Sequence, residues 1–391
     1  MDESQSTISP RIPPELILRI VELTKDSATL AALALTCKGI TMDAQKRHYT
    51  SFTEKSLKTL NDFCSTVLED GAKKASLVRR LDADFRSPFR ALSVEEIVVY
   101  RNVMSALIEM VNLTELHLDV LDVRELLGGF DAEEPVSDLF DCTFRLRKFS
   151  LNVTAHRTYY YNGLDRFLAK QPTLQRVDLP YVDIQWNPLI NMPLPHLRLL
   201  KAPTNFLMAI LPHTEDLTML VWRASAEGID GEPSKNCEKI STQIARIRYF
   251  SYGEFPEKIS SGGRSSSVFS SIVPYLHDLE CLELFSFSGA EKLRAIESLA
   301  APEKLQMVLL HPMRTETQVF EPGWIFSRFP SLRFIARPIY SPILVRGERE
   351  IEGYAVFDSK ARSGCPLEPA EMYKITSSEL LHHHIFELLP H

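Results

Sequence analysis

Few residues in this chain are of types that do chemistry, and their spacing withholds most of it. His382, His383 and His384 stand side by side in a stretch, Glu368 to Leu389, that reads as a final capping helix. Successive helix residues point about 100° apart, so three in a row cannot grip one metal ion without unwinding. They read instead as partly exposed residues favoured by the negative end of the helix dipole. The six cysteines, at 37, 64, 142, 237, 281 and 365, form no CxxC pair for zinc or redox work. There is no glycine-rich phosphate loop, no GxSxG and no HExxH. Glu95-Glu96 and the Glu348–Glu352 run read as solvated charge, and Trp186, Trp222 and Trp324 as packing residues. With no acid, base and nucleophile converging, the expectation is a chain that is not an enzyme and that takes no cofactor and no metal.

The elements that remain must therefore do their work by binding. The chain has 391 residues, 45% hydrophobic and 24% charged, which excludes wholesale disorder and favours a small module plus a longer array. A net charge of −7 argues against nucleic acid or an anionic membrane as the main partner. No apolar run reaches the 18 or so residues a membrane helix needs. The opening MDESQSTISP lacks the features of a secretory signal, so the cysteines read as reduced and the location as cytoplasmic or nuclear.

Two patterns organise the rest. In Ile12–Tyr49, two prolines open a helix, with Glu15 in its first turn at the positive dipole end. Leu16, Ile20 and Leu23 form one ridge and Ile17 and Val21 a second, while Leu18 lies on another face. Ser27 reads as the N-cap of a second helix carrying Leu30, Leu33, Leu35 and Cys37, ended by Gly39, and Met42 to Tyr49 as a third. About 40 residues cannot bury that much apolar surface alone. Either later parts of the chain cover it or a partner does.

Downstream, one phrase recurs: LTELHL at Leu113, LRKFSL at Leu146, LQRVDL at Leu174, LRLLKA at Leu197, LTMLVW at Leu217, IRYFSY at Ile247, LECLEL at Leu279, LQMVLL at Leu305 and LRFIAR at Leu332, with VRRLDA at Val78 as a degenerate earlier copy. The mean spacing is about 27 residues, within the range of leucine-rich repeats. Helical spacing fills the gaps, and prolines in QPTLQRV, FPSLRFI and APEKLQMV stop helices just before the next strand. The expected fold is α/β: a small N-terminal helical module, then an irregular leucine-rich-repeat solenoid with parallel strands on the concave side and helices on the convex side. The runner-up is an all-helical array. The expected divisions are a disordered tail (1–10), the helical module (11–50), a linker helix (51–75), the solenoid (76–340) and a C-terminal cap (341–391) that opens with a hairpin over SPILVRGEREIEGYAVFD.

The opening stretch resembles the F-box. It has Ile12-Pro13 in place of the usual Leu-Pro, then Glu15, Ile17, Ile20 and Leu23, then Leu30, Leu33, Leu35 and Cys37-Lys38, with Gly39-Ile40 where the family usually has a tryptophan. The repeats resemble those that follow an F-box in many fungal proteins. The resemblance implies a substrate-recognition subunit of an SCF-type cullin–RING ubiquitin ligase, partnered by the Skp adaptor, a cullin and a target protein. Pro14, Ile17, Ile20, Leu23, Leu30 and Leu33 are the expected adaptor contacts. The alternative is a ligase-independent scaffold in which the helices merely cap the repeats.

The variable strand positions suggest where a target would sit. They are polar in the first three copies (Glu115, His117, Lys148, Ser150, Arg176, Asp178) and largely apolar from the fourth onward. Leu199, Met219, Val221, Tyr249, Met307, Leu309 and Phe334 are the expected target-binding residues if that face is open. Two alternatives stand beside this: the segment after Ser341 folds back over the face, or the register slips by one.

Overall fold

A computed structural model of the chain describes residues 12–24, 26–36, 38–54, 56–69, 73–84, 94–120, 142–153, 164–179, 193–224, 237–254, 265–285, 294–311, 322–345, 348–359 and 371–373. The chain is α/β, with a mostly parallel arrangement of strands and helical segments between them. It divides into two compact units, Met1–Lys148 and Phe149–His391.

The first unit opens with three helices, α1 (Pro14–Leu23), α2 (Ser27–Thr36) and α3 (Lys38–Thr50). Asp26, not Ser27, caps α2: its carboxylate accepts from the Thr29 hydroxyl and from the Thr29 backbone N–H, the latter at 2.7 Å, and those bonds, the hydroxyl's foremost, hold the carboxyl below its ordinary range. Gly39 does not end a helix but lies inside α3, which starts earlier than the apolar spacing suggested. Residues 51–75, expected as a linker helix, instead begin with a strand, β1 (Ser51–Glu54), before helix α4 (Leu57–Glu69). Strands β2 (Arg80–Asp84) and β3 (Glu115–Val120) follow, separated by helix α5 (Val94–Glu109). The three strands pair in parallel in chain order, with Ser51 opposite Arg80 and Arg80 opposite Glu115. Leu81, Ala83, Leu116 and Leu118 are buried, whereas Arg80, Asp82, Glu115 and His117 keep solvent contact. That is the alternation of a sheet covered on one side.

Strand β4 (Lys148–Val153) begins at the division. In the second unit β5 (Arg176–Asp178), β6 (Leu199–Pro203), β7 (Met219–Ala224), β8 (Tyr249–Glu254), β9 (Cys281–Leu284), β10 (Met307–Leu310) and β11 (Phe334–Val345) each pair in parallel with the next. Parallel neighbours need a crossover, and helical segments such as Thr204–Ile210, Ser265–Ile272 and Pro322–Arg328 provide it. All nine recurrent phrases are strands beginning at their third residue. A backbone rule accompanies them: the carbonyl of the second residue accepts the N–H groups of the second and third residues of the next copy. Arg198 thus accepts from Thr218 and Met219, Thr218 from Arg248 and Tyr249, and Glu280 from Gln306 and Met307. Arg79 accepts from Thr114 and Glu115 in the same way, so the degenerate phrase at Val78 is a true copy.

The hairpin exists, but its first strand is the last repeat strand running on without a break. β11 pairs antiparallel with β12 (Glu348–Asp358), and β12 with β13 (Glu371–Tyr373). β13 occupies part of the expected capping helix; His382–His384 and the rest of that helix lie outside the described residues.

Candidate docking surface

The N-terminal helices bury little of what they carry. Their core is Val21, Leu30 and Ala44, with Leu33 and Ala34 packed partly against it. Among the described side chains of α1, Val21 is thus the one apolar residue that turns fully inward, while Leu16 and Leu18 are exposed, Ile20 is 48% exposed and Leu23 63%. On α2 and α3, Leu35 is 89% exposed and Met42 71%. Ile12, just ahead of α1, is exposed as well. The exposed residues of α1 are split among polar neighbours only by Glu15 and the Arg19–Glu22 ion pair, which at a solvated surface contributes little. An uncovered apolar face of this kind on two short helices is a candidate docking surface.

The structure sorts the six expected adaptor contacts. Ile20 and Leu23 are on the exposed face, and Ile17 is half-buried. Leu33 is half-buried against the core. Leu30 is a correction: it is buried at the centre of the module, so it holds the helices together and meets no partner. Pro14 opens α1, with its side chain outside the described residues. Leu16, Leu18, Leu35 and Met42 are exposed residues that the spacing argument left unselected. For Leu35 the signal was in the sequence, because α2 is apolar all round and a helix packed on one neighbour can hide only one stripe.

The second expected surface is corrected more deeply. Leu199, Met219, Val221, Tyr249, Met307, Leu309 and Phe334 do share one side of the second unit's sheet, but all are buried, none more than 9% exposed. Cys281, Ala336, Tyr354 and Val356 complete the same apolar cluster. Side chains without solvent contact cannot receive a target. The opposite side of these strands is buried too: Trp222 donates from Nε1 to Thr204 Oγ1 at 2.9 Å, and Phe250 and Tyr252 pack on Phe269. Strands covered on both sides read as continuous apolar runs, as MVLL at β10 does.

Inside this closed face sits a polar cluster that sequence reasoning passed over. Glu283 on β9 accepts from Tyr249 Oη at 2.5 Å on β8, and its other oxygen lies 2.7 Å from His311 Nε2 at the end of β10. His311 Nδ1 lies 3.0 Å from Tyr340 Oη on β11. The β11–β12 ladder slips in register on both sides of Tyr340, and such irregularities re-aim a side chain. Burial alone would raise the Glu283 carboxyl, but the hydrogen bond and charge of His311, then the Tyr249 hydrogen bond, outweigh it and bring it down to about 2. Burial, and secondly the Glu283 charge, push Tyr340 up to about 12. The Phe285 ring lies 3.8 Å from that of His311, and the Arg223 guanidinium lies over the same Phe285 ring, 4.5 Å from its centroid. Gly253 permits this: a Cβ there would stand 2.4 Å from Phe285 Cβ.

The polar positions of the early copies contact one another, both along a strand and from one strand to the next. In the first unit Lys148 reaches Glu115 at 2.8 Å and His117 lies 3.3 Å from Asp119. In the second, Asp178 meets Lys201 at 3.4 Å and Arg176 at 3.6 Å. Cys64, Cys142, Cys237 and Cys281 are buried, and burial raises the thiol of Cys64 to about 12 and that of Cys237 to about 11, which keeps those two unreactive. Trp222 is a packing residue as expected, Trp324 is half-exposed, and Trp186 lies outside the described residues. No group of side chains that could hold a metal ion, and no helix long and apolar enough to cross a membrane, occurs among the described residues. Against known proteins, no family model matches the chain, and no curated protein matches it.

Proposed function

We propose that this chain is the substrate-recognition subunit of an SCF-type cullin–RING ubiquitin ligase, working in the cytoplasm or nucleus. The carrying observation is the uncovered apolar face of α1 and α2 over a small core, the Val21, Leu30 and Ala44 cluster with Ile40 buried beside it on α3. On this reading α1–α3 are an F-box that seats Leu16, Ile20, Leu23 and Leu35 in an apolar groove of the Skp adaptor, the mode by which amphipathic helices enter grooves. The parallel strands are an irregular leucine-rich-repeat solenoid that holds a target protein. Its closed apolar side is structural, and the target meets other surfaces. The chain does no chemistry itself; it raises the effective concentration of target lysines near the transferring enzyme.

The test is a pull-down of purified Skp adaptor by the full chain. Ile20→Glu with Leu35→Glu abolishes capture while the circular dichroism and melting curve stay as in the parent. Capture undiminished by both charges rules the docking face out. The rival, a ligase-independent scaffold whose helices are only an end cap, draws on the packing of α3 against β1 and α4. A cap needs no uncovered apolar face, so on that reading the two substitutions change nothing but solubility.

A further inference from the structure

The helical module is not tethered to the sheet; it runs into it. α3 ends at Thr50 and β1 begins at Ser51, with no residue between. The last carbonyl of α3, Thr50, accepts the Arg79 N–H at 2.9 Å one residue before β2. The same carbonyl row continues from Arg79 to Thr114 and Glu115, so the helix end is hydrogen-bonded into the strand repeat. Around this point three elements converge through their rings. Phe63 of α4, buried, stacks on Phe52 of β1 with centroids 3.9 Å apart and lies 6.2 Å from Tyr49 of α3. Lys74 Nζ, just before the short turn that leads to β2, stands 5.7 Å from the Tyr49 ring. Bending the chain between Thr50 and Ser51 would break the carbonyl row and separate Phe63 from both neighbours at once.

From this we infer that Tyr49, Phe52 and Phe63 form a joint that fixes the helical module to strands β1–β3 as one rigid body. The exposed face of α1 and α2 is thereby held at one attitude to the sheet. The inference rests on the docking reading only for its use: a receptor gains effective concentration for its target when the connection between its two binding surfaces is stiff and correctly aimed, and loses it when the connection is loose. Phe63 is then a positioning residue, because it touches neither partner and acts through the angle it maintains.

The experiment measures that angle directly. Spin labels are placed on the full chain at Leu35→Cys on α2 and Val111→Cys after α5, both exposed in the parent. The background carries Cys37→Ser and Cys365→Ser; Cys64, Cys142, Cys237 and Cys281 are buried and label slowly. A Val98→Cys and Val111→Cys pair, on α5 and in the turn that follows it, calibrates the width expected where no joint intervenes. The expected result is a single narrow distance peak, as narrow as the calibration pair, that becomes broad in Phe63→Ala and in the milder Phe52→Ala. A broad distribution in the parent overturns the joint. A parent peak that stays narrow in both variants removes Phe52 and Phe63 from it. Phe63→Ala also keeps the parent's affinity for purified Skp adaptor while losing the narrow peak, which a general loss of structure would not do. If the adaptor binds neither protein, the docking reading falls and the distance result still stands.

Discussion

Two regions of this molecule present the same chemistry and meet opposite fates. The helices α1 and α2 and one side of strands β6–β11 are both rows of large apolar residues, Leu, Ile and Val on the helices and Leu, Met, Val, Tyr and Phe on the strands. The helical row is left in solvent, and the strand row is sealed. The difference lies in what each region spends its few polar groups on. On the helices they lie outside, as Arg19 and Glu22 do, and stabilise nothing inside. On the strands, Glu283 and His311 are turned inward and satisfied by Tyr249 and Tyr340, an arrangement that forms only where water is excluded. Apolar composition nominates a surface; the buried polar partners tell whether it is open.

The largest test of that contrast removes half of the buried pair. His311→Leu leaves the Glu283 carboxylate enclosed without its strongest partner, a change that costs about 3–5 kcal/mol. The pH dependence sharpens it. In the parent, Glu283 is held at about 2, below its ordinary 4.5, so its contribution is fully present above the ordinary value and is lost as pH falls from there toward 2. In the variant, burial without His311 puts the folded carboxyl above its ordinary value, and the penalty is relieved on acidification. Denaturant melts at pH 7 and pH 4.5 therefore show the gap between parent and variant shrinking in acid. A gap that is constant with pH means that Glu283 carries no charge in the folded protein.

Next in size is Leu30→Ala, expected to destabilise the helical module by about 2–4 kcal/mol, because it removes the central member of the small Val21–Leu30–Ala44 cluster. Hydrogen exchange shows the loss as faster exchange across α1–α3. If exchange there is unchanged, Leu30 belongs to the docking face after all. Gly253→Ala follows: its methyl collides with Phe285, whose own Cβ is fixed to the backbone and cannot swing clear, and the shift costs about 1–3 kcal/mol. The Phe285–His311 ring contact is displaced with it, so the His311 imidazole resonances move in the NMR spectrum; resonances that stay in place show that the ring contact plays no part in holding the cluster.

The repeat strands were legible because period and phrase repeated together: nine copies of a six-residue pattern, each with a helix-spaced gap, leave little freedom for another fold. Which side of them was covered was not legible, because MVLL and LLKA carry apolar residues at both parities and so no alternation distinguishes one side from the other. The Glu283–His311 pair was invisible for a different reason. The two residues are 28 apart in the chain, and nothing local in LECLEL or around His311 marks them as neighbours across adjacent strands. On α2 the fault was one of selection: Leu30 and Leu33 match the helical spacing best, and that match is what places them inward. Leu35, which breaks it, is left outside.

The smallest expected effect on stability is therefore at Leu35, and it is the counterpart of the Leu30 test on the same helix. Leu35→Gln removes no packing, since the parent side chain is 89% exposed, and a substitution at such a place changes stability by about 0.5 kcal/mol or less. What it does change is the apolar surface offered to solvent. An environment-sensitive apolar dye added to the folded full chain binds to the parent and measurably less to Leu35→Gln, with no shift of the melting curve. Equal dye signals would show that the exposed leucines do not act together as one patch. The α1–α2 face would then be scattered surface apolarity of the ordinary kind, with no more claim on a partner than the sealed strands have.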